Sequence, residues 1–195
     1  MDRAARAAAQ TVTYAAMKSI TGLAAIVAVI MAAAPAAFTP PRIVATVKSP
    51  DGRTVIELFR YKVGQPDRYG PLLYHVTRAG KQVVGDSRLG IRRTDETFDG
   101  AAITLVGGTD LRTIDERYTM PHGKAREYHV RARQRTLHFK NPAGARLDIT
   151  LRAQDDGVAF RYEFPERDTR AKTVVEEHTS FNVADPMNRW LLLLV

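Results

Sequence analysis

The sequence predicts an all-β protein built as a large two-sheet β-sandwich. Three observations carry that reading. Apolar residues recur at every second position over short runs, turn-forming residues separate the runs, and no stretch after Arg42 has the 3.6-residue periodicity of an amphipathic helix. A sheet with one apolar face must bury it, and two such sheets packed together bury both faces at once.

The first hairpin is the clearest case. Ile43, Ala45 and Val47 alternate with Val44 and Thr46. Ser49-Pro50-Asp51-Gly52 then turns the chain, with proline presetting φ and glycine accepting a left-handed exit. Thr54 to Tyr61 returns, with Val55, Glu57, Phe59 and Tyr61 on one face and Ile56 and Leu58 on the other. Gly64 to Pro71 reads as a loop, Leu72 to Thr77 as a strand and Ala79-Gly80 as a turn. Gln82 to Val84 is a short strand leading into Ser87-Arg88-Leu89-Gly90. Ile103 to Val106 and Arg126 to Ala132 are further strands, separated by an irregular stretch that holds Tyr118, Pro121, His122 and Gly123.

Next comes a three-strand meander: Thr136 to Lys140, the turn Asn141-Pro142-Ala143-Gly144, Arg146 to Ala153, the turn Asp155-Asp156-Gly157, and Val158 to Phe164. A polar loop, Pro165 to Lys172, precedes a last strand from Thr173 to Val183.

Residues before Phe38 follow a different grammar. Met17-Lys18-Ser19, an apolar run from Gly22 to Ala34 and the small-residue pattern Ala34-Pro35-Ala36 are the three parts of a secretory signal. The expectation is an upstream extension and helical signal segment over 1–37, with Met17 as the true start and cleavage near Ala36. Residues 38–190 then form the sandwich, and 191–195 an aberrant or truncated tail. The apolar run is short for crossing ~30 Å of hydrocarbon. The product is therefore expected to be periplasmic or secreted, with no stable membrane anchor.

Hydrophobic residues make up 45% of the chain and charged residues 26%, which argues against disorder and against a multi-span membrane protein. The absence of cysteine excludes thiol catalysis and thiolate metal sites. A net charge of +8 raises the question of nucleic acid. The basic residues are scattered, however, and the densest group, Arg131, Arg133 and Arg135, alternates as one solvated strand face would. No nucleic-acid partner is expected.

Few residues carry a chemical signal. Asp155 and Asp156 have the composition of an acid/base or cation-binding pair, but Asp-Gly closing a tight turn is the better reading. Glu176 and Glu177 are adjacent on a strand and point to opposite faces, so they make no catalytic pair. His75, His122, His129, His138 and His178 lack metal-ligand spacing. Gly107-Gly108 lacks the lysine and helix of a phosphate loop, and Ser87 and Ser180 lack the setting of a serine nucleophile. Aromatic residues remain as a route to sugar, because a flat ring stacks on the apolar face of a pyranose. Trp190, Tyr118 and His122 are the candidates for carbohydrate or interdomain contact.

The run Asp155-Asp156-Gly157-Val158-Ala159-Phe160-Arg161-Tyr162-Glu163-Phe164 resembles the N-terminal domain of glycoside hydrolase family 97, the exported α-glucosidases and α-galactosidases. Ser49 to Arg53, Ser87 to Gly90, and Glu177 to Asn182 followed by Trp190 match the same family in the same order. The resemblance spans about Val44 to Trp190. It implies a galactose-mutarotase-like sandwich packed against a (β/α)₈ barrel that carries most of the active site. It further implies an α-linked glucoside or galactoside as substrate and a glutamate-held calcium ion in the full-length enzyme, with catalysis by paired carboxyl groups. The chain departs from the family after Trp190, at Leu191 to Val195. No catalytic residue and no metal ligand can be carried over, and the chain alone is expected to be inactive. The reading from another class is a free-standing exported carbohydrate-binding module.

Overall fold

The structure is a computed structural model that describes residues 40–64, 68–122, 126–167 and 170–183. The expected signal segment, Trp190 and the 191–195 tail lie outside the described residues.

The described strands are β1 (Arg42–Lys48), β2 (Thr54–Arg60), β3 (Leu73–Arg78), β4 (Lys81–Arg88), β5 (Ile91–Arg93), β6 (Thr97–Phe98), β7 (Thr104–Gly108), β8 (Arg112–Thr119), β9 (Glu127–Lys140), β10 (Arg146–Gln154), β11 (Val158–Glu163) and β12 (Val174–Glu177). No helix occurs among the described residues. One antiparallel sheet runs β1-β2-β3-β4, and a second runs β11-β10-β9-β7 with β8 also paired to β9. β1 and β2 pack against β9, β10 and β11. Between them lies a single core to which the first sheet contributes Val47, Ile56, Leu58, Tyr74 and Val76, and the second Leu137, Phe139, Leu147, Ile149 and Leu151. Each large apolar side chain buried there contributes about 1.5–3 kcal/mol relative to exposure.

The alternation in the sequence positions these residues. Ile56 and Leu58 share one face as expected, and that face is the core side; the β9-β10-β11 meander follows the expected turns. Phe59, on the opposite face of β2, is also buried, because the rings of His75 and Tyr61 cover it at 4.9 and 5.4 Å.

Several expectations need correction. A third sheet, β12-β5-β6, accompanies the two expected ones and sends Ile91 and Phe98 into the same core. Its strands are too short to show a period. The stretch expected to be irregular contains β8, which places Tyr118 on a strand. β8 is almost wholly exposed, so pairing with β9 from Thr119↔Glu127 to Arg112↔Gln134 defines it, and no apolar alternation does. The two strands expected at 126–132 and 136–140 are one 14-residue strand, β9, joined through the arginine-rich segment. Arg133 and Arg135 in that segment are half-buried and only Arg131 is exposed, since neighbouring strands flank the arginine stems. β4 extends to Arg88, and the last strand stops at Glu177.

Two polar nodes tie the sheets together. At the β10–β11 turn, Asp155 Oδ1 accepts a hydrogen bond from the backbone N–H of Asp51 at 2.9 Å. The Asp155 carbonyl accepts from Thr54 Oγ1 at 3.1 Å and from the Arg78 guanidinium. The second node is Arg93, whose side chain is fully buried. It forks onto Asp95 (Nε–Oδ1 2.8 Å, Nη2–Oδ2 3.0 Å) and onto Glu166 (Nη1–Oε2 2.6 Å, Nη2–Oε1 3.2 Å). The Phe98 and Phe164 rings lie 5.4 and 4.5 Å from its guanidinium carbon. Hydrogen bonds from Arg93, and then from Lys172, pull the Asp95 carboxyl down to about 2.

Two outcomes are expected. Asp155→Ala lowers stability by about 1 kcal/mol and Asp155→Asn retains most of it, read from urea midpoints, because the amide oxygen still accepts from Asp51. Asp95 has a depressed folded-state pKa, so its contribution is complete above the ordinary carboxyl range near pH ~4 and is lost as pH falls towards about 2. Urea midpoints measured over that window should fall less steeply in Asp95→Asn than in the parent chain; equal slopes would remove Asp95 from the account.

Candidate functional site

After β12 the chain lays residues 178–183 along the end of β4. His178 N donates to Gly90 O at 2.9 Å, Ser180 N to Arg88 O at 3.1 Å, and Arg88 N to Ser180 Oγ at 2.9 Å. Gly85 N donates to Asn182 O at 2.7 Å, and Asn182 N to Ser87 Oγ at 2.9 Å. Glycine is required at 90, since a Cβ there would sit 2.9 Å from Asp99 Cβ. β11 joins through Tyr162, whose hydroxyl accepts from Gly90 N at 3.0 Å and lies 2.8 Å from Thr179 Oγ1. Three segments far apart in sequence, 87–90, 155–164 and 177–182, thus share one hydrogen-bonded corner.

Four aromatic rings face this corner and grade from core to solvent. Tyr74 is buried and donates its hydroxyl to Ser180 O at 2.9 Å. Phe160 packs on Tyr74 at 5.3 Å and on Tyr162 at 6.0 Å. Phe181 lies nearly parallel to Phe160, at 5.9 Å and 18°, and is 65% exposed. Burial pushes the Tyr74 hydroxyl up to about 12 and raises that of Tyr162 as well. Both therefore remain protonated near neutral pH and serve as hydrogen-bonding groups, not as bases. The corner offers an apolar, stackable ring surrounded by satisfied polar groups. Among the described residues it holds no nucleophile and base in contact, and the Ser87 and Ser180 hydroxyls are committed to backbone partners.

The other candidates are distributed elsewhere. Tyr118 is 47% exposed and stacks on Tyr128 at 5.3 Å and 11°, across the β8–β9 pair. His122 is exposed just beyond β8. No ring contact joins these residues to the Phe160–Phe181 corner among the described residues. Trp190 lies outside them. Asp155 closes its turn as expected, although its carboxylate reaches the distant Asp51 N–H and not a neighbouring one. Glu176 pairs with Arg92 at 2.7 Å. Four histidines lie against carboxylates: His75 on Glu57 at 3.0 Å, His129 on Asp115 at 2.6 Å, His138 on Asp148 at 2.8 Å and His178 on Asp99 at 3.2 Å. Among the described residues no group of three acidic or imidazole side chains is placed to hold a metal ion. Sequence reasoning missed Phe181 and Tyr74 as site residues. Tyr74 reads as ordinary strand, and Phe181 gains meaning only from its stacking on Phe160.

Clefts larger than a monosaccharide lie elsewhere on the described part, two of them beside β5 and beside β1. One, of about 590 Å³, is lined by Arg92, Arg93, Asp95, Glu96, Thr97 and Asn141 among others. Its polar groups pair with one another or with close neighbours, including Asn141 Nδ2 on Glu96 Oε2 at 2.6 Å. The other, of about 490 Å³, lies beside β1 and the start of β7.

Comparison with known proteins agrees with this architecture. The family model described as Glycosyl-hydrolase 97 N-terminal matches residues 47–193. A probable retaining alpha-galactosidase of Streptomyces bingchenggensis (strain BCW-1) is 34% identical over 122 residues, covering 63% of this chain and 18% of the relative. The crystal structure of a beta-arabinopyranosidase superposes with a TM-score of 0.61 at 30% identity, over 72% of this chain and 21% of that one. A Glycoside Hydrolase Family 97 enzyme in complex with acarbose, from Pseudoalteromonas sp. strain K8, shares the fold with a TM-score of 0.59 at 23% identity, over 72% of this chain and 20% of that one. The chain spans about a fifth of the length of these relatives. On the family match across most of its length, this chain belongs to the glycosyl-hydrolase 97 N-terminal domain family.

Proposed function

We propose that this domain is the non-catalytic scaffold of a family-97-like α-glycosidase. In this reading it supports a catalytic barrel and presents the Phe160–Phe181 corner as one wall of the sugar pocket. The observation that carries the proposal is the convergence at that corner. Three of the four stretches that resemble the family meet there, and an aromatic ring is left 65% exposed where core packing would have covered it. An α-linked glucoside or galactoside is the substrate of the complete enzyme in this reading. The Met17 to Ala36 pattern supports an exported, periplasmic or secreted product. Acid/base catalysis of glycoside cleavage needs two carboxyl groups about 5–9.5 Å apart across one sugar site. The corner offers hydroxyls, backbone and rings, and so supports recognition without cleavage.

The purified chain is expected to give no turnover of aryl α-glucosides or α-galactosides above blank. In native gels containing soluble starch it is expected to migrate as it does without starch, because one stacking ring contributes too little to hold a glucan by itself. Turnover would overturn the non-catalytic assignment. Retardation in starch that disappears in Phe181→Ala would instead identify a free-standing carbohydrate-binding module.

A further inference from the structure

We infer that the cleft beside β1 and β7 is a carboxylate-binding site built on Arg42 and Arg60. The two arginines are direct cross-strand partners at the ends of β1 and β2. Like charges placed opposite each other on a sheet repel, and one of this pair is also withdrawn from water: Arg60 is only 9% exposed. Among the described residues neither guanidinium has a carboxylate within ion-pair distance. Arg60 is held by backbone carbonyls alone, Nη1 on Gly70 O at 3.4 Å and Ala101 O at 3.2 Å, and Nη2 on Ile103 O at 2.6 Å. Arg42 lies over the Tyr69 ring at 5.2 Å.

The remaining donors set the geometry of the site. A guanidinium has five N–H groups, and the three carbonyls leave the Nε–H and one Nη2–H of Arg60 unused. Two free N–H groups on one fixed guanidinium suit an acceptor with two oxygens, as a carboxylate has. No fully buried side-chain nitrogen in the described part lacks a partner, so the unpartnered Nε is open to solvent. Arg60 lines a cleft of about 490 Å³ bounded also by Arg42, Ile43, Tyr69, Ile103 and Leu105. The lining pairs a cationic floor with an apolar rim, on which Ile43 and Leu105 are 48% and 40% exposed. That combination fits a carboxylate carried on a compact, partly apolar body. Burial, and then the charge of Arg42, make the protonated form of Arg60 less favourable than in water. A bound anion relieves both costs. This inference concerns a different region from the Phe160–Phe181 corner and does not depend on the scaffold role.

Two bodies can deliver the carboxylate, a free sugar acid or an acidic side chain of a protein. Titration of the intact chain by calorimetry at low ionic strength separates them, using D-glucuronate against D-glucose, and a short end-blocked peptide bearing one glutamate against its glutamine counterpart. At least one acid is expected to bind where its neutral analogue does not. Arg42→Gln is expected to weaken that binding about tenfold, the loss of one charge-assisted hydrogen bond, and Arg60→Gln to abolish it. If Arg60→Gln does not fold, Arg42→Gln, at an exposed strand end, carries the test. Binding of glucuronate alone identifies a sugar acid, of the glutamate peptide alone a protein side chain, and of both a site for the carboxylate itself. The inference is overturned if neither acid binds better than its neutral analogue, or if Arg42→Gln binds as well as the parent chain.

Discussion

The apolar faces of β2 and β10 must meet, and most of what the domain presents to solvent depends on that meeting. Ile56 and Leu58 on one side, and Leu147, Ile149 and Leu151 on the other, share one core with the rings of Tyr74 and Phe98. Because side chains alternate, burying these residues turns the opposite faces of both strands away from that core. On β2 that places Glu57 beside Thr46 and His75, with hydrogen bonds of 2.9 and 3.0 Å. A one-residue slip of β10 would replace Ile149 in the core with Asp148 or Thr150 and break the His138–Asp148 pair. Core burial thus sets the register, and the register places every surface group named above.

Legibility in the sequence followed the source of each element's stability. β1, β2, β10 and β11 were readable because apolar alternation and turn residues both encode them. β8 was not, since one partly buried isoleucine and an exposed tyrosine in RTIDERYT carry no period; its strand state comes from hydrogen bonds to β9. β9 looked like two strands because Arg131, Arg133 and Arg135 interrupt the apolar pattern, while pairing with β10 continues through them. The third sheet was invisible for another reason. β5 and β6 are three and two residues long, below the length at which any period can be recognised.

The site was legible as a set of segments and illegible as a surface. The stretches 87–90, 155–164 and 177–182 stand out in the sequence, yet nothing there says that Tyr162 reaches Gly90 or that Phe181 lies on Phe160. Those contacts are long-range and depend on the chain after β12 returning to β4. Tyr118 and His122 lie in a segment whose sequence has no apolar alternation. The β-pairing that places Tyr118 against Tyr128 makes that stack a property of the strand, held across the ladder.

The two buried arginines show how the same residue type can serve structure in one place and leave capacity for binding in another. Arg93 has two carboxylates and two aromatic rings around it, so its charge is neutralised and its donors are used within the domain. With four of its five N–H groups used and its charge neutralised, this guanidinium contributes rigidity and little attraction for an anion. Arg60 has carbonyl dipoles only, and a second arginine opposite. Carbonyls satisfy hydrogen bonds but carry no net charge, so they fix the position of the side chain without neutralising it. The fold thereby holds a desolvated cation in fixed geometry at the floor of a cleft, and the stabilisation missing there is the kind that an anion supplies.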